Sequence, residues 1–163
     1  MRELMEKAEK RGGKTELITL KDRDIQACDG CLTCEKTSVC HIKDDMQEIY
    51  DKMLSADAIV LGSPTYFDAP TGSAMNFIHR TYPLYGRIKG KRFVGVIVGQ
   101  LSGDDGVSSR GKVEDYFKAI AGTHGLDYRG SLSVSARDPN DASKITDVRE
   151  QCEDLATRIL KQS

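Results

Sequence analysis

The chain has 163 residues, of which 39% are hydrophobic and 30% charged, and its formal net charge is −1. This length and composition fit one globular domain with a sizeable core, so we expect 1–163 to fold as a single unit. Acidic and basic residues are interspersed, which excludes a basic surface for nucleic acid or lipid headgroups. The apolar runs are far shorter than the ~20 residues of a membrane helix, and the N-terminus has no signal-peptide pattern, so we expect no membrane association and a cytoplasmic location.

The first part of the chain alternates between helical and extended patterns. A helix is predicted over 1–11 and a strand over Thr15–Leu20. A cysteine-rich loop follows at 28–40 as an insertion in the domain. Apolar residues at helical spacing then predict a helix that begins at Asp45, with Glu48 as its capping-box partner.

Two continuous apolar runs predict buried strands. The run at Ala58–Leu61 is apolar on both faces, which is typical of a parallel sheet covered by helices. We expect Gly62-Ser63-Pro64 to end this strand and a helix to follow over 72–81. A second buried strand is predicted over Phe93–Val98, with a loop from Gly99 to Gly106 after it.

The last part of the chain repeats this alternation. It predicts a helix through Val113–Ile120, a weaker strand over Tyr128–Val134 and a long helix over Ser143–Leu160, for a total of four strands and five helices. Such a pattern predicts an α/β fold with a doubly wound parallel sheet in three α/β/α layers. Its ligand site is expected at the carboxyl ends of the strands, here 63–68 and 99–106.

Four of the five cysteines, Cys28, Cys31, Cys34 and Cys40, lie in one short loop. Disulfides between residues three apart are strained, whereas thiolates on a Gly-containing loop can enclose a small inorganic core. We interpret the spacing as the ligand set of one [4Fe-4S] cluster. A zinc site made of four thiolates usually combines two distant cysteine pairs, but zinc and unligated redox-sensing thiols stay open as alternatives. Cys152 is predicted to pack in the core.

Three further segments are similar to one known family. They are Lys43–Met46 after the cysteine loop, Gly62–Phe67 after a buried strand, and Phe77–Thr81 at the end of the next helix. Together with the cysteine motif, they resemble the iron-sulfur flavoproteins, a branch of the NADPH-dependent FMN reductase-like families with a flavodoxin-like fold. The resemblance covers nearly the whole chain.

The resemblance implies an FMN whose ring lies against the loops after the two buried strands. We expect Pro64 to stiffen the first loop, Thr65 and Tyr66 to hydrogen-bond the ring, and Tyr66 or Phe67 to stack on it. Glycines in the second loop allow the backbone to approach a flat ligand. The expected cofactor contacts are Ser63, Pro64, Thr65, Tyr66, Phe67, Gly99, Ser102, Gly103 and Gly106.

The implied function is electron transfer between a [4Fe-4S] cluster and FMN, which exchange electrons singly and in pairs, respectively. The family implies a homo-oligomer, a dimer or tetramer, served by a ferredoxin-like donor or NAD(P)H. Two alternatives stay open: an NAD(P)H-dependent FMN or quinone reductase, and a non-enzymatic module stabilised by zinc. No catalytic acid or base is indicated, because His41 is interpreted as an exposed residue and neither His79 nor His124 has suggestive neighbours.

The chain departs from the family pattern at its start. Members of this fold begin with a strand and a Ser- and Gly-rich loop that holds the FMN phosphate. The chain opens in what resembles the middle of the first helix, so we expect that strand and loop to be missing. Without that strand, the predicted strands at 15–20 and 58–61 would face each other with unpaired backbone donors and acceptors. Three explanations are open: the natural chain continues upstream of Met1, the two strands pair directly, or another subunit supplies a strand. Arg80, Arg110 and Lys112 are expected at the solvated surface.

Overall fold

The computed structural model describes residues 1–101, 103–136 and 146–161. The strands are β1 (Ala58–Tyr66), β2 (Ala69–Pro70), β3 (Arg92–Gly99) and β4 (Asp127–Ser135). The helices are α1 (Arg2–Glu9), α2 (Thr33–Thr37), α3 (Met46–Ser55), α4 (Gly72–Arg80), α5 (Gly103–His124) and α6 (Thr146–Leu160). The sheet has the spatial order β2-β1-β3-β4.

The sheet is parallel except for β2. Strand β3 pairs in parallel with β1 on one side and with β4 on the other, whereas β2 pairs antiparallel to the end of β1. Side chains of β3 alternate between two cores: Phe93 and Ile97 pack with α3, α4 and α5, and Val94 and Val96 pack with α1 and α6. The predicted three-layer α/β fold is therefore confirmed.

Most of the predicted elements are present. All five predicted helices and the strands expected within 58–61, 93–98 and 128–134 are confirmed, with bounds that shift by a few residues. The start predicted for the last helix at Ser143 lies outside the described residues. The short helix α2 inside the cysteine loop was not predicted.

The strand predicted over Thr15–Leu20 is wrong. This segment is extended and ends in a 3-10 turn, but it joins no sheet in the described part of the chain. Its apolar residues Ile18 and Leu20 pack by their side chains against the core beside α3 and α4. Direct pairing with β1, one of the three alternatives for the gap, is therefore not found. Among the described residues, the second edge of β1 is paired at Thr65 and Tyr66 alone.

Strand β1 does not end at Gly62-Ser63-Pro64 as predicted. It continues to Tyr66 and reverses at Phe67 and Asp68, whose φ values of 50° and 61° fit a two-residue hairpin turn. Proline is tolerated in β1 because the strand lies near the edge of the sheet, where a missing N–H costs little.

An ion pair between Arg80 and Asp44 closes the base of the cysteine loop. The two side chains are 0% exposed, with Nη1–Oδ2 at 2.5 Å and Nη2–Oδ1 at 3.0 Å. Arg80 Nη1 also donates to the Gln26 carbonyl at 2.8 Å, and the Gln26 N–H donates to Asp44 at 2.9 Å. Because Gln26 precedes the loop and Asp44 follows it, this pair joins the loop's two ends. The expectation that Arg80 is solvated is wrong.

Asp44 also performs the capping role that was predicted for Asp45. Its Oδ1 accepts the N–H of Met46 at 3.0 Å, whereas Asp45 accepts the N–H of Asp24 and makes no cap. Burial opposes ionisation of Asp44, but hydrogen bonds from Arg80 and the two backbone N–H groups outweigh it. They hold the pKa of this carboxyl below its ordinary value.

Replacing Asp44 by Asn tests this ion pair. We expect the free energy of unfolding at neutral pH to fall by about 3–5 kcal/mol, because Arg80 is left buried without a counter-charge. The lowered pKa means that the contribution is present above the unfolded value of about 3.9 and is lost as pH falls through the folded value. Denaturant titrations over that pH range measure both effects.

Lys112→Ala is the matched control, since Lys112 pairs with Asp68 at the exposed surface. This substitution should change the free energy of unfolding far less than Asp44→Asn does, and its effect should depend on salt concentration. Equal effects of the two substitutions would show that the buried pair does not stabilise the fold.

Candidate functional site

The cysteine loop adopts a strained backbone that neighbouring segments hold in place. Leu32 and Ser38 have φ values of 57° and 55°, in a region that costs a non-glycine residue about 1–2 kcal/mol. The Tyr82 hydroxyl donates to Glu35 of α2 at 2.9 Å, and Arg87 donates to the Ser38 carbonyl at 3.2 Å. The loop is thus fixed at both its ends and its middle.

All four predicted ligand cysteines line one cavity of about 520 Å³. They are free thiols, exposed at Cys28 and Cys31 and half-buried at Cys34 and Cys40. The opposite wall is formed mainly by apolar and aromatic side chains: Ile78, Tyr82, Tyr116, Ala119 and Ile120. The structure therefore brings the four thiols together, and their binding of a cluster stays a prediction.

The spacing of the donors separates two kinds of metal site. A single tetrahedral zinc ion needs ligand atoms about 3.4 Å apart, given bonds of about 2.0–2.3 Å. Over 1–101, 103–136 and 146–161, the one group of three donors within 4.8 Å of one another is Asp29, Cys31 and His41. The four cysteines do not form such a group. In this conformation the four thiols are therefore not arranged around one shared ion.

Burial raises the pKa of the Cys34 thiol, and the nearby thiolates of Cys40, Cys31 and Cys28 raise it further. Reactive redox-sensing cysteines have lowered pKa values, so Cys34 does not have the environment of such a residue. A bound cation would reverse the balance, because coordination displaces the thiol proton. Cys152, in contrast, is buried between Val148 and Leu155, as predicted.

A buried histidine lies on the helical wall of the same cavity. His124 is 7% exposed, and its Nε2 lies 3.0 Å from the hydroxyl of Thr81. Thr81 donates its proton to the Ile78 carbonyl, so Nε2 of His124 is the donor to Thr81 and Nδ1 carries the lone pair. Nδ1 has no partner in the part of the chain that the structure describes, and burial lowers the pKa of the ring. The expectation of no suggestive neighbours is wrong for His124, whereas His79 is exposed and lines the same cavity.

A second candidate site lies at the carboxyl ends of β1 and β3. Ser63 uses its hydroxyl within the chain, donating to the Pro64 carbonyl and accepting from the Thr71 N–H. Thr65 Oγ1 is buried and has no hydrogen-bond partner among the described residues. Tyr66 and Phe67 are exposed. The two aromatic side chains are therefore exposed to a flat ligand, and Thr65 next to them carries a buried hydroxyl without a partner among the described residues.

The glycines of the second loop differ from expectation. Helix α5 begins at Gly103, so the loop predicted to reach Gly106 is shorter. A Cβ at Gly106 would lie 2.1 Å from the Leu101 carbonyl oxygen, and one at Gly99 would lie 3.1 Å from Arg110. These two glycines serve internal packing. Gly103 faces open space and stays a predicted contact, whereas Ser102 lies outside the described residues.

Arg110 is a buried cation that the sequence did not indicate. It is 8% exposed and donates to the Ser133 hydroxyl at 3.1 Å and to the Leu101 carbonyl at 2.6 Å. No carboxylate in the described ranges forms an ion pair with it. The expectation of a solvated side chain is therefore wrong for Arg110, while Lys112 is exposed as expected.

The two candidate sites lie against different parts of α5. The strand-end site contacts Gly106 and Arg110, whereas Tyr116 and His124 line the cysteine cavity. At 1.5 Å per residue, Gly106 and Tyr116 are about 15 Å apart along the helix axis, and Arg110 and Tyr116 are about 9 Å apart. The two sites therefore lie on different turns of the same helix.

The chain belongs to the NADPH-dependent FMN reductase family, whose model matches residues 1–131. An iron-sulfur flavoprotein of Archaeoglobus fulgidus is 45% identical over 78 residues, which is 48% of this chain and 38% of the relative. An iron-sulfur flavoprotein of Methanocaldococcus jannaschii is 38% identical over 84 residues, 52% of this chain and 44% of the relative. The chain thus matches less than half the length of these curated relatives.

Solved structures with the same fold include flavin enzymes. A flavone reductase aligns over 97% of this chain and 56% of its own, with a TM-score of 0.72 and 17% identity. An FMN-dependent NADH-azoreductase of Bacillus anthracis, solved with FMN, aligns over 98% and 89%, with a TM-score of 0.66 and 15% identity. These likenesses establish the flavodoxin-like fold. No helix in the described ranges is long and apolar enough to cross a membrane.

Two glycines of α5 allow a paired test of the strand-end packing. Gly106→Ala should lower the free energy of unfolding by about 1–3 kcal/mol, because the new methyl group would displace the Leu101 carbonyl. Gly111→Ala should raise it by about 0.4–1 kcal/mol, because nothing lies within 4 Å of its Cβ position. Denaturant unfolding of both variants measures the difference. A stabilising Gly106→Ala would contradict the packing role.

Proposed function

We propose that the chain is the cofactor-binding part of an iron-sulfur flavoprotein that transfers electrons between a [4Fe-4S] cluster and FMN. The observation that carries this proposal is the convergence of four free cysteines on one cavity, in a chain of the FMN reductase family. Cys28, Cys31, Cys34 and Cys40 are the proposed cluster ligands. The names of the curated relatives support the pairing of an iron-sulfur cluster with a flavin.

The strand-end site is the proposed place of the FMN ring. Thr65 Oγ1 is a buried polar atom whose hydrogen bond a ring carbonyl or nitrogen would complete. Tyr66 and Phe67 offer exposed aromatic faces for stacking. Arg110 adds a positive charge at the same edge, which favours an electron-rich ligand. When bound, FMN would supply two-electron chemistry that a cluster alone does not provide.

We propose that electrons pass between subunits. Along α5, about 9–15 Å separates the strand ends, at Arg110 and Gly106, from Tyr116 in the cysteine cavity of the same chain. A homo-oligomer that places the cysteine loop of one subunit beside the strand ends of another would shorten this path. A ferredoxin-like protein or NAD(P)H is the proposed electron donor.

The second candidate is an NAD(P)H-dependent FMN or quinone reductase in which the cluster has no part in the reaction. The separation of the two sites and the azoreductase likeness favour it. The two candidates differ in protein stripped of metal: the reductase still reduces FMN with NAD(P)H, whereas in the iron-sulfur flavoprotein a reduced ferredoxin-like donor should no longer reduce FMN.

Serine substitutions test the cluster ligands. After anaerobic reconstitution with iron and sulfide, the chain should hold about four irons with visible absorption that bleaches on reduction. Changing any of the four loop cysteines to Ser should abolish or strongly reduce this content. Cys152→Ala is the control and should retain it, because that side chain packs in the core. A wild-type chain that binds no iron, or full loading after a loop substitution, would contradict the assignment.

Thr65→Val tests the flavin site through binding rather than turnover. Removing the hydroxyl should raise the FMN dissociation constant about 3–10-fold, as expected for one lost hydrogen bond. The flavin-free chain should keep or gain stability, because the buried Oγ1 has no partner to lose. Quenching of flavin fluorescence and denaturant unfolding measure the two effects.

Thr123→Val is the matched control, since Thr123 lines the cysteine cavity and bonds the Ala119 carbonyl. It should leave FMN affinity unchanged. An equal loss of affinity in both variants would exclude the strand ends as the flavin site.

A further inference from the structure

Three side chains of the cysteine loop form a compact group with mixed donor atoms. Asp29 Oδ2 lies 2.7 Å from Nε2 of His41, and Asp29 Oδ1 accepts the N–H of Cys31 at 3.1 Å. The ligand atoms of Asp29, Cys31 and His41 all lie within 4.8 Å of one another. The three residues are exposed, so an ion can reach them from solvent.

The geometry points to a mononuclear site for a divalent metal ion of the zinc class, formed by Asp29, Cys31 and His41. Carboxylate oxygen, thiolate sulfur and imidazole nitrogen are all zinc ligands, with bonds of about 2.0–2.3 Å. Small movements of the exposed side chains bring such donors to about 3.4 Å from one another around one ion. Because the group is open to solvent, water completes the tetrahedron as the fourth ligand.

This site and the proposed cluster exclude each other because both use Cys31. Zinc binding removes the proton of the Cys31 thiol and replaces the hydrogen bond between Asp29 and His41 with metal bonds. Cys28, Cys34 and Cys40 take no part in the zinc site. Zinc would therefore hold the loop in a form that cannot assemble a four-iron core. Zinc binding stands independently of the proposed function, whereas the competition rests on it.

Zinc titration of the metal-free chain under anaerobic conditions tests the site itself. The wild-type chain should bind one zinc ion, measured by competition with a chromophoric chelator. Asp29→Asn and His41→Ala should each weaken zinc binding strongly. Loss of a residue that only hydrogen-bonds a metal ligand lowers metal affinity about 10–100-fold, and loss of a ligand itself should lower it more. Cys40→Ser and His79→Gln are controls that alter the same cavity outside the group, and they should bind zinc as the wild type does. Circular dichroism checks that each variant is folded.

Either of two results would overturn this site. One is the absence of zinc binding by the folded wild-type chain. The other is a loss in Cys40→Ser as large as in His41→Ala, which would assign the ion to the cysteine quartet.

Cluster assembly in the presence of zinc tests the competition. One equivalent of zinc should reduce the iron content reached by the wild type and leave that of His41→Ala unchanged. Equal inhibition of both proteins would overturn the shared role of Cys31. If the wild type takes up no iron even without zinc, the proposed cluster fails, while the titration above still decides the zinc site.

Discussion

The buried ion pair of Arg80 and Asp44 is the interaction on which the cysteine loop depends. A carboxylate without solvent must have its charge and its lone pairs satisfied, and Asp44 meets this requirement with Arg80 and the N–H groups of Gln26 and Met46. These donors come from the segment before the loop, from α3 and from α4. Both ends of the loop are therefore anchored to the α/β core.

The cysteine loop has two features that a bound metal ion would affect: a strained backbone and thiols that lie in one cavity. Leu32 and Ser38 occupy left-handed conformations, and burial together with nearby thiolates raises the pKa of Cys34. The metal-free loop thus combines a strained backbone with a Cys34 thiol whose environment disfavours the charged form. A cation would lower the cost of bringing thiolate charges together, and its binding energy would stabilise the same conformation. Folding of this loop and loading of its metal are expected to be linked for that reason.

The spacing of apolar residues predicted most helices and strands correctly. The features that it did not predict depend on contacts between residues far apart in the sequence. Helices α3 and α4 and strand β3 follow from the spacing of their apolar residues, which is a property of each segment alone. Thr15–Leu20 has the residue types of a strand but pairs with no strand in the described ranges, and a local pattern does not reveal whether a partner strand is present. The pairing of Arg80 with Asp44 and the contact of His124 with Thr81 join residues far apart in sequence. The four cysteines were found because their spacing within one loop is local.

The chain keeps its two candidate sites apart, and this has a consequence for how they would work together. The strand ends owe their position to the parallel sheet, whereas the cysteine cavity depends on the far half of α5 and on the Arg80–Asp44 pair. A change in one site therefore need not disturb the other. Arg110 sets the charge at the strand ends, and Cys34, Asp29 and His41 set the chemistry of the cavity. Two helices join the sites within one chain: α5 contacts both of them, and α4 is preceded by Thr71, which bonds Ser63, and carries Ile78 and His79 in the cavity wall near its end.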